Sequence, residues 1–325
     1  MKGVLVQQYG PVQALRIADL PDIDVQRGQV RIRVRAAGIG FVDALKIAGQ
    51  YQTKDPLPFV PAMEFAGIVD VVGGGVSQVK IGDQVFGVAR RGALAEQLIV
   101  DETELLRTPE HLSFAQAAAV PVNYLTATYA LKNRAELQAR EKLLVLGAAG
   151  GTGTAAIKVG KMLGAQVIAA ASTDEKRSFA LEQGADATLD YSKEGWREEL
   201  KSLLDGQSVD VIFDAVGGDI SPIAFRTLGW RGRYLVVGFA AGKIPVLPFN
   251  IALLKGASLM GVDSAQIQRW EPKVYGRLMS DIRLGLETRS LEPPAVQTFA
   301  FDKFKDAFEA ISSRRAKGKV VVKMT

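Results

Sequence analysis

The chain has 325 residues, 48% of them hydrophobic, enough for two cores of ordinary size, and no apolar run long enough for a membrane span or signal peptide, so a cytoplasmic protein without a membrane partner is expected. There is no cysteine and a single histidine, His111, which excludes disulfides, thiolate zinc sites, thiol nucleophiles and histidine-based triads as sources of chemistry. Lysine and arginine exceed aspartate and glutamate by only five, and they are scattered instead of forming a stripe, so nucleic acid is not an expected partner.

Residues 3–8 and 30–36 are predicted strands. The second alternates Val30, Ile32 and Val34 with Arg31, Arg33 and Arg35, a two-residue period with one wet face. Further strands are predicted at 65–72, 84–88 and 95–100, separated by the turn clusters Gly73-Gly74-Gly75, Ile81-Gly82-Asp83 and Arg91-Gly92, so the first hundred residues read as mainly β. His111 falls in a loop just before Ser113-Phe114-Ala115-Gln116, a capping-box helix start, and that helix runs to about residue 119 before Pro121 breaks it. A second helix is predicted over 125–132.

The run Leu143-Leu144-Val145-Leu146 then passes through Gly147-Ala148-Ala149-Gly150-Gly151-Thr152-Gly153 into an alanine-rich amphipathic segment. A buried strand, a tight turn and a helix fit this order. Glycines at 150, 151 and 153, with Ala149 and Thr152, let backbone N–H groups approach a pyrophosphate at the positive end of the helix. Ala148 stands where the usual fingerprint has its first glycine, with Gly147 one position earlier. Leu163-Gly164-Ala165 stops the helix, and 166–171 reads as the next buried strand, which completes a βαβ unit.

Strands and helices go on alternating: a helix capped by Ser172-Thr173-Asp174-Glu175 and ending at Gly184, a strand at 187–189, a helix at 194–204, and strands at 209–213, 233–237 and 257–262. That alternation predicts a parallel sheet covered on both faces. A helix at 267–286, a β segment at 298–301, a helix at 304–313 and a last strand at 319–324 resemble the first part in character. The expected organisation is a β domain of residues 1–121 plus 263–325, with the dinucleotide domain, 122–262, inserted and a cleft between them.

Six stretches, Gly38-Ile39-Gly40-Phe41-Val42-Asp43, Gly49-Gln50-Tyr51, Pro58-Phe59-Val60-Pro61-Ala62-Met63-Glu64-Phe65-Ala66-Gly67-Ile68-Val69, Lys80-Ile81-Gly82-Asp83-Gln84-Val85, the 148–153 turn and Asp214-Ala215-Val216-Gly217-Gly218, together resemble one family along nearly the whole chain. It is the zinc-free quinone oxidoreductase branch of the medium-chain dehydrogenase/reductase superfamily. The resemblance implies an α/β protein, a GroES-like β domain with an inserted Rossmann domain, using NADPH to reduce quinones or α,β-unsaturated carbonyls. Zinc-dependent relatives place a cysteine near Gly40 and a histidine at Met63; this chain has neither, so no metal is expected, and Glu64 reads as structural. Family members usually carry asparagine where Gly40 stands. Tyr51, the backbone of Phe41 and Val42, or a water then substitutes, or the substrate range differs. Asp43 either braces its loop by hydrogen bonds or titrates in catalysis.

The predicted second strand of the dinucleotide unit ends in Ala170-Ala171-Ser172-Thr173, without the acid that grips the ribose hydroxyls of NAD. Ser172 and Thr173 leave room for a 2′-phosphate and Lys176 can meet its charge, so NADPH is preferred over NADH; Ser172 also reads as a helix cap. By resemblance Tyr191 and Arg314 complete the phosphate pocket, and Thr126, Tyr129 and the Gly238-Phe239-Ala240 turn contact the nicotinamide, with Asn123 a weaker candidate. Val216 and Gly217 serve the adenine and ribose side. Without metal or thiol, catalysis rests on hydride placement and hydrogen-bond donors, with a proton from Tyr51 or water. Tyr51 reads as part of a loop over the cleft or as a packing residue. An enoyl thioester reductase and a non-catalytic NADPH-binding protein on the same fold are the alternatives, and a homodimer continuing the sheet at 257–262 is expected.

Overall fold

In the computed structural model, which describes residues 1–324, the chain divides into two compact units, Met1–Val122 with Pro293–Thr325, and Asn123–Glu292. The first opens with β1 (Lys2–Leu5), paired antiparallel with β2 (Arg16–Asp19). β3 (Gln29–Ile39) shows the expected alternation: Val30, Ile32 and Val34 are buried, while Arg31 pairs with Asp70 at 3.0 Å on the wetter face. From Ala36 onward both faces are buried. At Gly38 a Cβ would lie 2.4 Å from the Ala118 carbonyl, so only glycine lets the neighbouring helix approach this closely.

α1 (Phe41–Ile47) follows at once, where a loop was expected. β4 (Glu64–Val72), β5 (Gln84–Val88), β6 (Gln97–Asp101), β7 (Leu105–Arg107) and α2 (Phe114–Ala119) come next. Ser113 caps α2: Gln116 N donates to Ser113 Oγ at 3.2 Å and Ser113 N to Gln116 Oε1 at 3.1 Å. Pro121 does not simply end helical structure but begins α3 (Pro121–Thr128), where its missing N–H costs nothing.

α3 runs into a π-helical turn, Tyr129–Arg134, in which Ala135 N reaches back to Ala130 O at 2.9 Å. The second unit then alternates β8 (Lys142–Leu146), α4 (Gly151–Met162), β9 (Gln166–Ala170), α5 (Asp174–Glu182), β10 (Ala187–Leu189), α6 (Trp196–Leu203), β11 (Val209–Asp214), α7 (Ile220–Phe225), β12 (Leu228–Val236), α8 (Phe249–Lys255) and β13 (Ser258–Gly261). All six strands pair in parallel, in the order β10-β9-β8-β11-β12-β13. This is the doubly wound arrangement, with its switch point between β8 and β11. Leu144, Ile212, Phe225 and Tyr234 lie in its core. At Gly160 a Cβ would meet Leu143 Cδ2 at 2.7 Å, so α4 sits tight on the sheet.

Two helices replace the single one expected over 267–286: α9 (Ser264–Trp270) and α10 (Pro272–Glu287), broken where Pro272 starts the second. Their partners correct the expected domain boundary at 263. Thr126 Oγ1 donates to Ser264 Oγ at 2.8 Å, Tyr129 Oη to Glu271 Oε1 at 2.6 Å, and Lys132 Nζ to Asp281 at 2.9 Å. These bonds tie both helices to α3 and its π turn, so 263–292 belong with the second unit and the return to the first begins at Pro293.

That last segment supplies β14 (Val296–Ala300), α11 (Phe304–Ser312) and β15 (Lys319–Lys323). β15 pairs antiparallel with β3, setting Val320 opposite Ile39, and the first sheet runs β14-β15-β3-β4-β5-β7 with β6 also on β3. Its core includes Ile32, Phe65, Phe308 and Val322. Among the described residues no helix is long and apolar enough to cross a membrane.

Candidate active site

The glycine turn in the second unit is built by three glycines with different tasks. Gly147, at φ 74°, makes the reversal that the usual fingerprint assigns one position later, which is why Ala148 is tolerated. Gly150 N donates to Gly147 O at 3.1 Å, and Gly150 is the N-cap of α4. A Cβ on Gly153 would stand 2.3 Å from Gly147 O and 2.8 Å from Ala148 Cα, so the helix presses directly on the turn. Ala149 is buried, Gly151 and Thr152 are half-buried, and Thr152 Oγ1 donates to Asn123 Oδ1 at 3.0 Å. N–H groups at the positive end of a 12-residue helix, approached over glycine backbone, fit a dinucleotide pyrophosphate.

A second loop is knitted to this one by a residue the sequence reading quoted without giving it a role. Asp214 ends β11 and is 3% exposed. Its Oδ1 accepts from Val216 N at 2.8 Å and Gly217 N at 2.9 Å, and its Oδ2 from Ser221 Oγ at 2.6 Å and Tyr234 Oη at 2.5 Å. Burial and the adjacent Asp214 carboxylate push the Tyr234 hydroxyl pKa upward. Every lone pair of the acid is answered, and the answering N–H groups belong to Val216 and Gly217. Val216 Cγ2 lies 2.8 Å from the point where a Cβ on Gly147 would stand, so the loops after β8 and β11 touch. The turn after β12 joins them: Gly238 N donates to Asp214 O at 3.2 Å, Ala240 N to Ala215 O at 3.2 Å, and Phe239 packs where a Gly217 Cβ would be. The structure thus gathers the predicted residues of all three loops. A carboxylate directly after the apolar run Val211-Ile212-Phe213 was the available signal for Asp214.

At the end of β9 one expectation is corrected. The cap of α5 is Thr173, whose Oγ1 accepts from Lys176 N at 3.3 Å; Ser172 precedes it in a bend and does not cap. Extended φ and ψ at Thr173, −135° and 152°, are the cap geometry. Ser172 and Lys176 are half-buried beside it, and Tyr191 is half-buried against the second core. Thr126 on α3 bonds to Ser264 at the start of α9, and Tyr129, opening the π turn, bonds to Glu271 between α9 and α10. Burial, with the bond to Glu271, pushes the Tyr129 hydroxyl pKa upward.

In the first unit Asp43 lies on α1 and is 2% exposed. Its Oδ2 accepts from Gly40 N at 2.7 Å, while Oδ1 has no partner among the described residues. Burial pushes this carboxyl up to about 6, against the pull of the Gly40 N–H and the Lys319 ammonium; Glu64 adds to the rise and Lys46 opposes it. Beside it Lys319, 3% exposed, is paired with Glu64, whose Oε1 accepts from Val122 N at 2.9 Å. The pair joins residues 255 positions apart, which no local pattern could have announced. Phe41 is 41% exposed at the start of α1, Tyr51 is half-buried in the bend beyond it, and Arg314 is exposed just after α11 at φ 57°.

Among the described residues no three His, Cys, Asp or Glu side chains converge as metal ligands do. Gly40 and Met63 offer neither thiolate nor imidazole, and Glu64 is engaged by an ammonium and a backbone N–H, so this donor set does not fit zinc.

Residues 26–110 match the family described as an alcohol dehydrogenase GroES-like domain, and 151–279 the family described as a zinc-binding dehydrogenase. "Quinone oxidoreductase-like protein 2" of Rattus norvegicus is 40% identical over 313 residues, covering 96% of this chain and 89% of the rat protein. The chain belongs to the quinone oxidoreductase branch of the medium-chain dehydrogenase/reductase superfamily. Two solved structures bear on the branch: Escherichia coli quinone oxidoreductase complexed with NADPH, at TM-score 0.90 and 26% identity over 99% of this chain and all of that one, and CurK enoyl reductase, at TM-score 0.90 and 25% identity over 100% and 99%. Quinone oxidoreductases and an enoyl reductase therefore share this chain's architecture from end to end.

Proposed function

We propose that this chain is an NADPH-dependent reductase of quinones or other α,β-unsaturated carbonyls, working without zinc. The observation that carries the reading is the glycine turn at the N-terminus of α4, beside an acid-free turn at the end of β9. The NADPH complex of the E. coli relative supports the same cofactor. Ala149 to Gly153 would hold the pyrophosphate, Val216 and Gly217 the adenine and ribose side, and Thr126, Tyr129 and Gly238 to Ala240 the nicotinamide. Ser172, Thr173, Lys176, Tyr191 and Arg314 would receive the 2′-phosphate.

NADPH, when bound, supplies the hydride that a conjugated carbonyl accepts at its β carbon. The electron pair then moves to the carbonyl oxygen, and one proton completes the reaction. Tyr51 is our candidate donor to that oxygen. Asp43, a buried carboxyl raised to about 6, is our candidate for holding the proton nearby in chemistry close to neutral pH. The poor fit of Gly40, Met63 and the engaged Glu64 to zinc supports a metal-free reaction.

We place the protein in the cytoplasm, as a homodimer. The dimer reading is supported by the β13 edge, where Leu259 is 48% exposed and, on the neighbouring α8, Phe249, Leu253 and Leu254 are 77%, 82% and 69% exposed. A monomer by light scattering at micromolar concentration would contradict it.

The likeness to CurK favours a second reading, reduction of an enoyl thioester. The deciding experiment is calorimetric titration with NADPH and with NADH, then NADPH consumption against a quinone, an enone and an enoyl thioester. Tighter binding of NADPH with turnover of quinone or enone is expected. Turnover of the thioester alone favours the second reading, and binding without consumption of any substrate points to a non-catalytic protein.

A further inference from the structure

The turn after β9 contains a buried ion pair with no part in the reading so far. Arg177, on α5 with 12% of its side chain exposed, brings Nη1 within 3.1 Å of the Ala171 carbonyl oxygen and 2.8 Å of Asp190 Oδ2, and its Nη2 reaches Asp174. Asp190 follows β10 and is 7% exposed. Its Oδ1 accepts from Ser192 N at 2.9 Å and Ser192 Oγ at 2.5 Å. Ala171 N donates to Leu189 O at 3.0 Å, and Ser192 Oγ lies 3.5 Å from Ser172 O, so this carboxylate stands in one knot of backbone with residues 171–173. Burial pushes the Asp190 carboxyl up, but both Ser192 bonds and the Arg177 charge outweigh it and hold the group below the ordinary range, ionised at neutral pH.

In a doubly wound sheet the end of the second strand is where the adenosine ribose is read. A bare carboxylate there accepts hydrogen bonds from ribose hydroxyls and repels a 2′-phosphate. The residues of the turn itself carry no acid, yet Asp190 brings one in from the adjacent strand.

We propose that Arg177 is a positioning residue that sets cofactor preference: by pairing at 2.8 Å with Asp190, whose other cationic contact, Lys193, is looser at 4.0 Å, it offsets the charge of a carboxylate beside the 171–173 turn, and so admits a 2′-phosphate. The inference rests on the NADPH reading above and deepens it. Arg177 has no need to touch the phosphate, because three oxygens already engage its guanidinium.

The test is calorimetric measurement of NADPH and NADH dissociation constants for wild type, Arg177→Met, Arg177→Lys, Asp190→Asn and the Arg177→Met/Asp190→Asn double variant. Arg177→Met should weaken NADPH about tenfold, the order expected of one uncompensated carboxylate facing a phosphate near the surface, and leave NADH unchanged or tighter. Arg177→Lys should keep the preference, and the double variant should bring NADPH affinity back to within about twofold of wild type. Equal losses for both nucleotides, or a double variant as weak as Arg177→Met, would overturn the proposal. If Arg177→Met does not fold, Asp190→Asn alone decides: NADPH binding should hold or tighten, and a selective loss would refute the argument. Wild-type protein that binds neither nucleotide, or prefers NADH, would instead bring down the reading beneath it.

Discussion

Replacing Asp43 by asparagine tests the electrostatics of the first unit directly. The carboxyl is 2% exposed, one oxygen bonded to Gly40 N at 2.7 Å and the other unpartnered among the described residues. Its pKa rises from 3.8 to about 6, chiefly through burial, with Glu64 adding to the rise and the Gly40 bond and Lys319 restraining it. Between those values the native state holds a proton that the unfolded chain has released, so stability falls as pH rises through the window. Below 3.8 the group costs nothing; above 6 the whole penalty is present, roughly 3 kcal/mol at about 1.4 kcal/mol per pH unit. Asparagine keeps an acceptor for Gly40 N and cannot ionise. Urea unfolding of both proteins at pH 4, 5, 6 and 8 should therefore find Asp43→Asn more stable at pH 8, by up to about 3 kcal/mol, with the difference vanishing near pH 4. A difference flat across pH, or a variant less stable at pH 8, would refute this account. Turnover, measured alongside, asks the separate question of whether the proton is used.

Gly153→Ala should cost about 1–3 kcal/mol of stability and weaken NADPH binding, because the new methyl meets backbone at 2.3 Å; an unchanged unfolding midpoint would show that the turn can yield. Asp214→Ala strands two N–H groups and two hydroxyls and should destabilise by about 3 kcal/mol or more, whereas Asp214→Asn, which keeps an acceptor while the hydroxyls turn, should lose less; equal losses by chemical denaturation would contradict the network. Tyr51→Phe should lower turnover at least tenfold with NADPH affinity little altered, and an unchanged rate removes Tyr51 from the mechanism. Gly40→Asn should fold with stability within about 1 kcal/mol of wild type, since the new Cβ meets nothing closer than 3.5 Å, and should change relative rates across the substrate panel; identical rates would mean that position 40 does not reach substrate.

Local patterns made some of this architecture readable. The apolar run, glycine turn and amphipathic helix at 143–162 are β8, the turn and α4, and Ser113 with Gln116 forms the capping box of α2. What escaped is what locality cannot carry. β2 and β7 are short and largely without full burial, so they lack a clear period, and α1 hides behind Gly38 and Gly40, which read as loop. Thr173 rather than Ser172 caps α5 because two adjacent hydroxyl residues offer the same chemistry and only the backbone chooses. The boundary at 293 instead of 263 depends on Thr126, Tyr129 and Lys132 meeting partners more than 130 residues away.

The same limit applies to the polar centre of the first unit, where Asp43 does brace the start of α1 through Gly40 N while Lys319 and Glu64 arrive from far along the chain. Gly40 has φ −120° and ψ 168°, a conformation open to any residue, so its missing side chain is not imposed by the backbone. A Cβ there would stand 3.5 Å from Asp43 Oδ2 and 3.7 Å from Lys319 Nζ, within ordinary contact of one acid and one ammonium. This chain leaves that side of position 40 free of any side chain, with Lys319, Glu64 and Asp43 gathered beside it. Two carboxyls and one ammonium in the same buried neighbourhood cannot all be charged cheaply, and Asp43, whose second oxygen has no partner among the described residues, has its carboxyl raised to about 6, chiefly by burial. A side-chain-free position 40 and a raised Asp43 carboxyl thus lie within contact of each other, and changing either should be felt at the other.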